Sequence, residues 1–593
     1  MAEKEKKKRE KKSSLWLLAC LVMIVFGCIT GLFSLALGIG NLSFDIFLSY
    51  FKLPVLLLFN VLPSVLLHLA FYMLFGRPWL AFFFGSGIVL GAGALQGFKI
   101  WLQEDVFYLS DLLPGGSRLG FLPDISGVSL NWVMIGTLIY FVFGVVFLIV
   151  LFRRRKAPWL AGRLVAMVVF LCLFYPYWLE ASNVEKYAKY TDNSAVVTDD
   201  SELMRYVSKG FLYPFVQTAD SSGEKKAPGG YQEKKAASML GAYEASDIPS
   251  GRAFDLFVVQ LKNFTDLSNC SLEGADLKYA YTEYEKLKEN AFWGRLYALE
   301  FPASGIEGAR SFLTGTTGPG VIRRNTNSYI WYLRAQGYRT WGIYPKPLPA
   351  GSRGRTYGCL GLEDLIFKPS DEGGSSADAD ASDWWMFGEV LAQYKKKAAE
   401  ASGSQLVFME STQNGGVHKG LSGLQDYLDG VKDTLFYVSN LAEQLEALQK
   451  PAVLLVYGDG SPDLGSDVYN ALGLETELDT PQTRAVRSSS EYLIWMNSAA
   501  KQALGDPKTG KGPDISLNYL MAELFSSLGW GGPGFMKASQ ELQQLLPVVS
   551  PQGFCSKGGE IISVPQLSLD EQSRLHNYEY VEYYWTDHFG LIK

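Results

Sequence analysis

The sequence predicts two architectures joined end to end, a five-helix transmembrane domain and an α/β domain with a mostly parallel sheet between helices. Three observations carry that expectation. Between Ser14 and Leu179 the apolar residues gather into five runs, each near the ~20 residues that cross a bilayer as a helix. Beyond about Tyr190 the composition becomes mixed in polarity. There, short apolar runs of strand type alternate with segments of helical period, the pattern of strands covered on both faces. At 593 residues the chain is also too long for a single core. It divides into a basic tail (1–13), the transmembrane domain (14–180, with an outer loop at 99–130), a linker (181–251) and the α/β domain (252–593).

The five runs are 14–40, 53–75, 78–98, 131–152 and 159–179. Lys and Arg beside a span stay on the cytoplasmic side. The opening MAEKEKKKREKKSS has seven Lys or Arg against three Glu, Arg77 separates runs two and three, and 153–156 reads RRRK. All three clusters fall inside if the 99–130 loop, with Glu104, Asp105, Asp111 and Asp124, falls outside. An odd number of spans then puts 252–593 outside the cell. The first run is too long for a signal peptide, and four more follow it. The net charge of −6 argues against a nucleic-acid partner. Cys20, Cys28 and Cys172 sit in spans as packing residues. Cys270, Cys359 and Cys555 are too widely spaced for a zinc motif and leave room for one disulfide and an odd thiol.

In the second half the strand candidates are FDLFVVQL (254–261), RTWGIY (339–344), QLVFM (405–409), AVLLVY (452–457) and YLIWM (492–496). Leu435, Val438, Leu441, Leu445 and Leu448 recur at helical spacing before the fourth. Ligands of such sheets bind beyond the carboxyl ends of the strands. Asp459, in YGDGSPDLG, stands just past one such end. The acidic stretch 370–383 lacks the Gly and terminal Glu of a calcium loop and reads as a solvated surface loop, while GTTGPG (315–320) lacks the ending of a phosphate loop and reads as a turn.

These features in this order resemble the lipoteichoic acid synthase-like family of the sulfatase and alkaline phosphatase superfamily. SYFKLPVLLLFNVLPSVLL and FKIWLQEDVFYLSDLL resemble its second span and first outer loop. VVQLKNF resembles its first strand, SGIEGARSFLTG its nucleophile helix, GYRTWGIYP its next strand, YGDGSPDLG its metal-binding turn and YVEYYWTDHFG its closing strand. The resemblance implies one divalent cation, usually manganese, held by Glu, Thr and an Asp-His pair, with the Thr attacking phosphatidylglycerol and carrying glycerophosphate.

Residue by residue, that chemistry is missing. The metal-binding Glu falls on Lys262, the nucleophilic Thr on Gly305, and the His of the Asp-His pair on Gly460, which leaves Asp459 as the remnant ligand. Two further histidines fall on Tyr344 and near Gln413. Of the substrate-binding group Arg353 remains, with Tyr357 and Leu360-Gly361 at the family spacing. A unit-charge pair at 4 Å is worth about 4 kcal/mol at an effective dielectric near 20, so Lys in place of Glu beside a dication costs on the order of ten kcal/mol. Asp587-His588 has no strand leading into it, and His418 reads as an isolated surface histidine.

The expectation is therefore a pseudoenzyme of the bacterial cell membrane, multi-pass, with a cytoplasmic amino terminus. It would need no cofactor and would act by binding a membrane lipid headgroup, an anionic envelope polymer or another envelope protein through Arg353, Lys262 and Asp459. The alternative is an active phosphoglycerol- or phosphoethanolamine-type transferase or hydrolase, using manganese or a similar cation with Ser304 as a fallback nucleophile and Asp459. Ser304 also begins a capping box with Glu307, which explains it without chemistry. In the vacated cleft, Lys262 and Asp459 are expected within about 4 Å of each other, the usual limit of an ion pair.

Overall fold

The computed structural model describes residues 2–39, 44–103, 106–107, 132–152, most of 206–273, 276–298, most of 305–346, 353–369, most of 383–474 and 479–592, with scattered residues between 168 and 193. The chain divides into two compact units, Met1–Gly223 and Glu224–Lys593.

In the first unit, four of the described helices are long and apolar enough to cross a membrane: α1 (Ala2–Gly38), α2 (Pro54–Phe75), α3 (Pro78–Gln103) and α4 (Trp132–Phe152). Most of the fifth expected span, the RRRK turn and nearly all of the 99–130 loop beyond residue 103 lie outside the described residues. Apolar side chains such as Leu138, Phe143 and Val150 remain exposed, as a lipid-facing surface requires. Polar groups turn inward and pair across helices. His68 meets the Ser64 carbonyl at 2.7 Å and the Ser86 hydroxyl at 2.9 Å, and Thr30 joins Ser86 to Tyr140 at 2.9 and 3.0 Å.

The 181–251 segment, expected as a linker, is shared between the units. Phe211 N–H donates to Asn60 of the first unit at 2.8 Å. Farther on, α5 (Glu233–Leu240) belongs to the second unit, where Lys235 reaches Asn577 at 2.8 Å and Tyr580 donates to the Gly229 carbonyl at 2.9 Å.

The second unit is built on a nine-stranded sheet of β1 (Asp255–Leu261), β2 (Ala291–Tyr297), β3 (Arg339–Tyr344), β4 (Asp364–Phe367), β5 (Gln405–Glu410), β6 (Ala452–Gly458), β7 (Ser489–Met496), β8 (Gly510–Lys511) and β9 (Ile515–Ser516). The order is β4-β3-β5-β1-β6-β7-β2-β8, with β9 also beside β2, and β7 alone runs against the rest. All five expected strands are present. Their residues alternate between two cores. Leu256, Val258, Leu406, Phe408, Val453 and Leu455 face one, and Phe257, Val259, Val407, Met409, Leu454 and Val456 face the other. Helices cover both faces, so each strand is apolar throughout.

Four strands of this sheet escaped the sequence reading, two of them, β8 and β9, only two residues long. In β2 the run AFWGRLY is broken by Gly294 and Arg295, which hides its period. Glycine is required there, because a Cβ would lie 2.8 Å from both the Tyr492 ring and the Pro513 carbonyl. The edge strand β4 is short and begins with an acid.

The expected closing strand is instead a helix. Residues 580–587 end α6 (Leu569–Asp587), which Ser568 caps through its hydroxyl in a box with Glu571. Tyr and Val in this segment favour strands by type, but Leu575, Tyr578, Val581 and Trp585 are buried at helical spacing. Packing against the core outweighs the weak local preference.

Candidate functional site

The register of the sheet assembles the site. β1 lies between β5 and β6, parallel to both, with Gln260 opposite Glu410 and Leu261 opposite Gly458. The next residues, Lys262 and Asp459, leave the sheet side by side. Lys262 Nζ lies 3.1 Å from Asp459 Oδ2, so the expected pair is present, with the Asp459 side chain fully buried and the Lys262 side chain 18% exposed. Asn263 takes a left-handed backbone conformation, φ 49°, and its N–H donates to Asp459 Oδ1 at 2.7 Å.

The second pair was not foreseen. Glu410, at the end of β5, is gripped on two sides by Arg353, the first residue of α7 (Arg353–Cys359) in chain position. Arg353 Nη2 lies 2.7 Å from Oε1 and Nε 2.9 Å from Oε2. Tyr357, one turn along α7, donates its hydroxyl to Oε2 at 2.5 Å. The Arg353 guanidinium also lies over the Tyr344 ring, 4.5 Å from its centre, where the resemblance puts a histidine. A sequence signal for Glu410 did exist: an acid ending an apolar strand, on the edge that carries Asp459.

Gly305 joins the two pairs. It begins α8 (Gly305–Thr314), and its carbonyl accepts from Gln260 Nε2 at 2.7 Å. A Cβ at Gly305 would lie 2.7 Å from Glu410 Oε1, 3.5 Å from Arg353 Nη2 and 3.6 Å from Asp459 Oδ2. The place of a side chain at residue 305, where the resemblance puts a nucleophile, is thus bordered by three members of a four-charge group. Gly460 follows Asp459 with φ 149°, a conformation that favours glycine over histidine.

Lys262, Gly305, Arg353, Asp459 and Gly460 are therefore brought to one edge, while Ser304 lies outside the described residues. His588 sits elsewhere, stacked on Tyr584 and 3.4 Å from Glu233. His418 is half-buried rather than a surface histidine, with Nε2 3.2 Å from the Asn414 carbonyl.

A divalent cation does not fit this donor set. Both Asp459 oxygens are engaged, by Lys262 and by the Asn263 N–H, and both Glu410 oxygens by Arg353, with Tyr357 on one. Gly305 and Gly460 contribute no side chain. Among the described residues no three His, Cys, Asp or Glu gather as a metal-holding group.

Burial raises the Asp459 carboxyl above its ordinary range, and Lys262 only partly offsets this. For Glu410, burial is outweighed by Arg353 and the hydrogen bonds to the carboxylate, which hold it below the ordinary range. Two other acids matter for stability. Asp383, expected in the solvated loop, is buried, accepting from Thr412 N–H at 2.8 Å and Thr434 Oγ1 at 3.3 Å, and burial pushes it up to about 6. Burial, with Asp266 nearby, pushes Glu491 up to about 8.

Unfolded acids titrate near pH 4, so Asp383 between about pH 4 and 6 and Glu491 between about pH 4 and 8 keep protons in the folded unit that the unfolded chain has lost. Their contribution to stability falls as pH rises through those windows. The melting temperature of the second unit is expected to be higher at pH 5.5 than at pH 8, with Asp383→Asn flattening the lower part of the slope. Thermal scans across that range check it, and a rise in stability toward pH 8 would contradict it.

No family model matches the chain, and no curated protein matches it. Solved structures do. The chain is similar to the phosphoglycerol transferase GacH of Streptococcus pyogenes (15% identity, 62% of this chain and 96% of that one, TM-score 0.44) and to the lipoteichoic acid synthase LtaP of Listeria monocytogenes (13%, 59% and 97%, TM-score 0.40). It is similar over both units to the integral membrane lipooligosaccharide phosphoethanolamine transferase EptA of Neisseria meningitidis (13%, 86% and 95%, TM-score 0.37).

Proposed function

We propose that the protein is a membrane-anchored member of the lipoteichoic acid synthase-like family that has lost turnover and acts by binding in the cell envelope. The observation that supports this reading is the closed group at the ends of β1, β5 and β6. Lys262 stands against Asp459, Arg353 against Glu410, and a glycine occupies the nucleophile's position. Two cations and two carboxylates cancel, leaving no vacant charge for a metal, and Gly305 supplies no hydroxyl. Because Lys262 and Arg353 are already paired, an envelope polymer or partner protein is better served by another surface of the unit than by this cleft.

Purified full-length protein is expected to carry no stoichiometric transition metal and to release no glycerol phosphate, phosphoethanolamine or sulfate from lipid or ester donors above background. Metal analysis and a turnover assay on one preparation test it. Bound manganese, with a turnover lost in Ser304→Ala, would establish the alternative instead.

The basic clusters at the start, at Arg77 and at 153–156 support a cytoplasmic amino terminus, five spans and a second unit outside the cell. A cysteine at Lys156 is expected to stay unlabelled by an impermeant maleimide on intact cells, while one introduced at exposed Lys419 reacts. The reverse pattern would invert the topology.

A further inference from the structure

The environment of Glu410 is that of a bound anion. Its two oxygens take a bidentate guanidinium at 2.7 and 2.9 Å and a phenolic hydroxyl at 2.5 Å, a recognition pattern suited equally to phosphate-type oxyanions. The carboxylate is 2% exposed as part of its side chain. Its Oε1 also lies 2.7 Å from where the first side-chain atom of residue 305 would be. Glycine at 305 and glutamate at 410 therefore form a matched pair: one vacates the space that the other fills.

We propose that Glu410 is an internal anion plugging an oxyanion site formed by Arg353 and Tyr357, with Lys262 alongside. The ligand class of the unplugged site is a tetrahedral oxyanion, a phosphate mono- or diester or sulfate. In the native chain the carboxylate holds that place. Removing it leaves Arg353 and Lys262 facing the single carboxylate of Asp459, an excess of one positive charge in a recessed site. The inference rests on the reading of the cleft as inactive, but its test is binding rather than turnover. A negative binding result would therefore leave that reading standing, and a turnover would overturn that reading without deciding the plug.

The probes are inorganic phosphate and glycerol phosphate, titrated calorimetrically into full-length protein in detergent. Glu410→Ala removes the plug. Gly305→Ala displaces it without removing the charge, since the new methyl meets the end of the Glu410 side chain. Each variant is expected to bind at least ~tenfold more tightly than native protein, a gain of about 1.4 kcal/mol. Binding by glycerol phosphate alone would assign the site to the ester, and binding by both to the phosphoryl group, either supporting the plug. Should Glu410→Ala fail to fold, Gly305→Ala decides. Native protein that binds phosphate as tightly as a folded variant, or folded variants that gain nothing, would overturn the proposal.

Discussion

Lys262→Glu is expected to destabilise the second unit by about 3–5 kcal/mol, the cost of leaving a buried charge without its partner. The Asp459 side chain is fully buried, with Lys262 Nζ at 3.1 Å. Exchange of the ammonium for a carboxylate removes that partner and sets a like charge in its place, with Glu410 close enough to raise Asp459 already. Lys262→Met is the informative control, because it removes the cation without adding repulsion and so isolates the loss of the pair. Unfolding of the full chain followed by a probe in the second unit measures both. The charge reversal is expected to melt lowest, and a Lys262→Glu protein as stable as native would mean that the pair does not hold the site.

Arg353→Ala is expected to cost a similar ~3–5 kcal/mol, since it strands the buried Glu410 carboxylate. Lysine should recover only part of that, because one ammonium cannot reproduce the two-point grip or lie flat over Tyr344. Combined with Glu410→Gln the loss should shrink markedly, because the residue left behind is then neutral. A double variant no more stable than Arg353→Ala would show that the two side chains act separately.

Manganese binding is not expected to return with Lys262→Glu and Gly460→His together. The first change leaves Arg353, Glu410 and Gly305 as they are. The second puts a histidine on a backbone at φ 149°, at a cost of order 1–3 kcal/mol. The departure from a metal site thus extends from the ligands into the chain path.

The sheet was legible because its central strands are buried on both faces and therefore continuously apolar, as in Leu256 to Leu261 and Val453 to Tyr457. Such runs report position but not direction, so the reversal of β7 was not visible in YLIWM. The closing strand expected at 580–590 came from resemblance alone, while burial of Leu575, Tyr578, Val581 and Trp585 along one helical face is a property of packing. In the site, the Lys262–Asp459 pair could be anticipated because parallel neighbours end together and a cation stands where the resemblance implies an acid. Glu410 could not be placed in the same way. Its partner Arg353 is 57 residues away, and only the register of β1 with β5 brings that acid beside Gln260 and under Gly305.

Anomalous diffraction at the manganese edge, from crystals of the native protein equilibrated with manganese, tests the proposal that the Lys262 ammonium stands where a metal would. The expected result is no anomalous peak at Asp459 and the Lys262 ammonium within about 4 Å of its carboxylate. A peak bonded to Asp459, with Lys262 swung away, would contradict it.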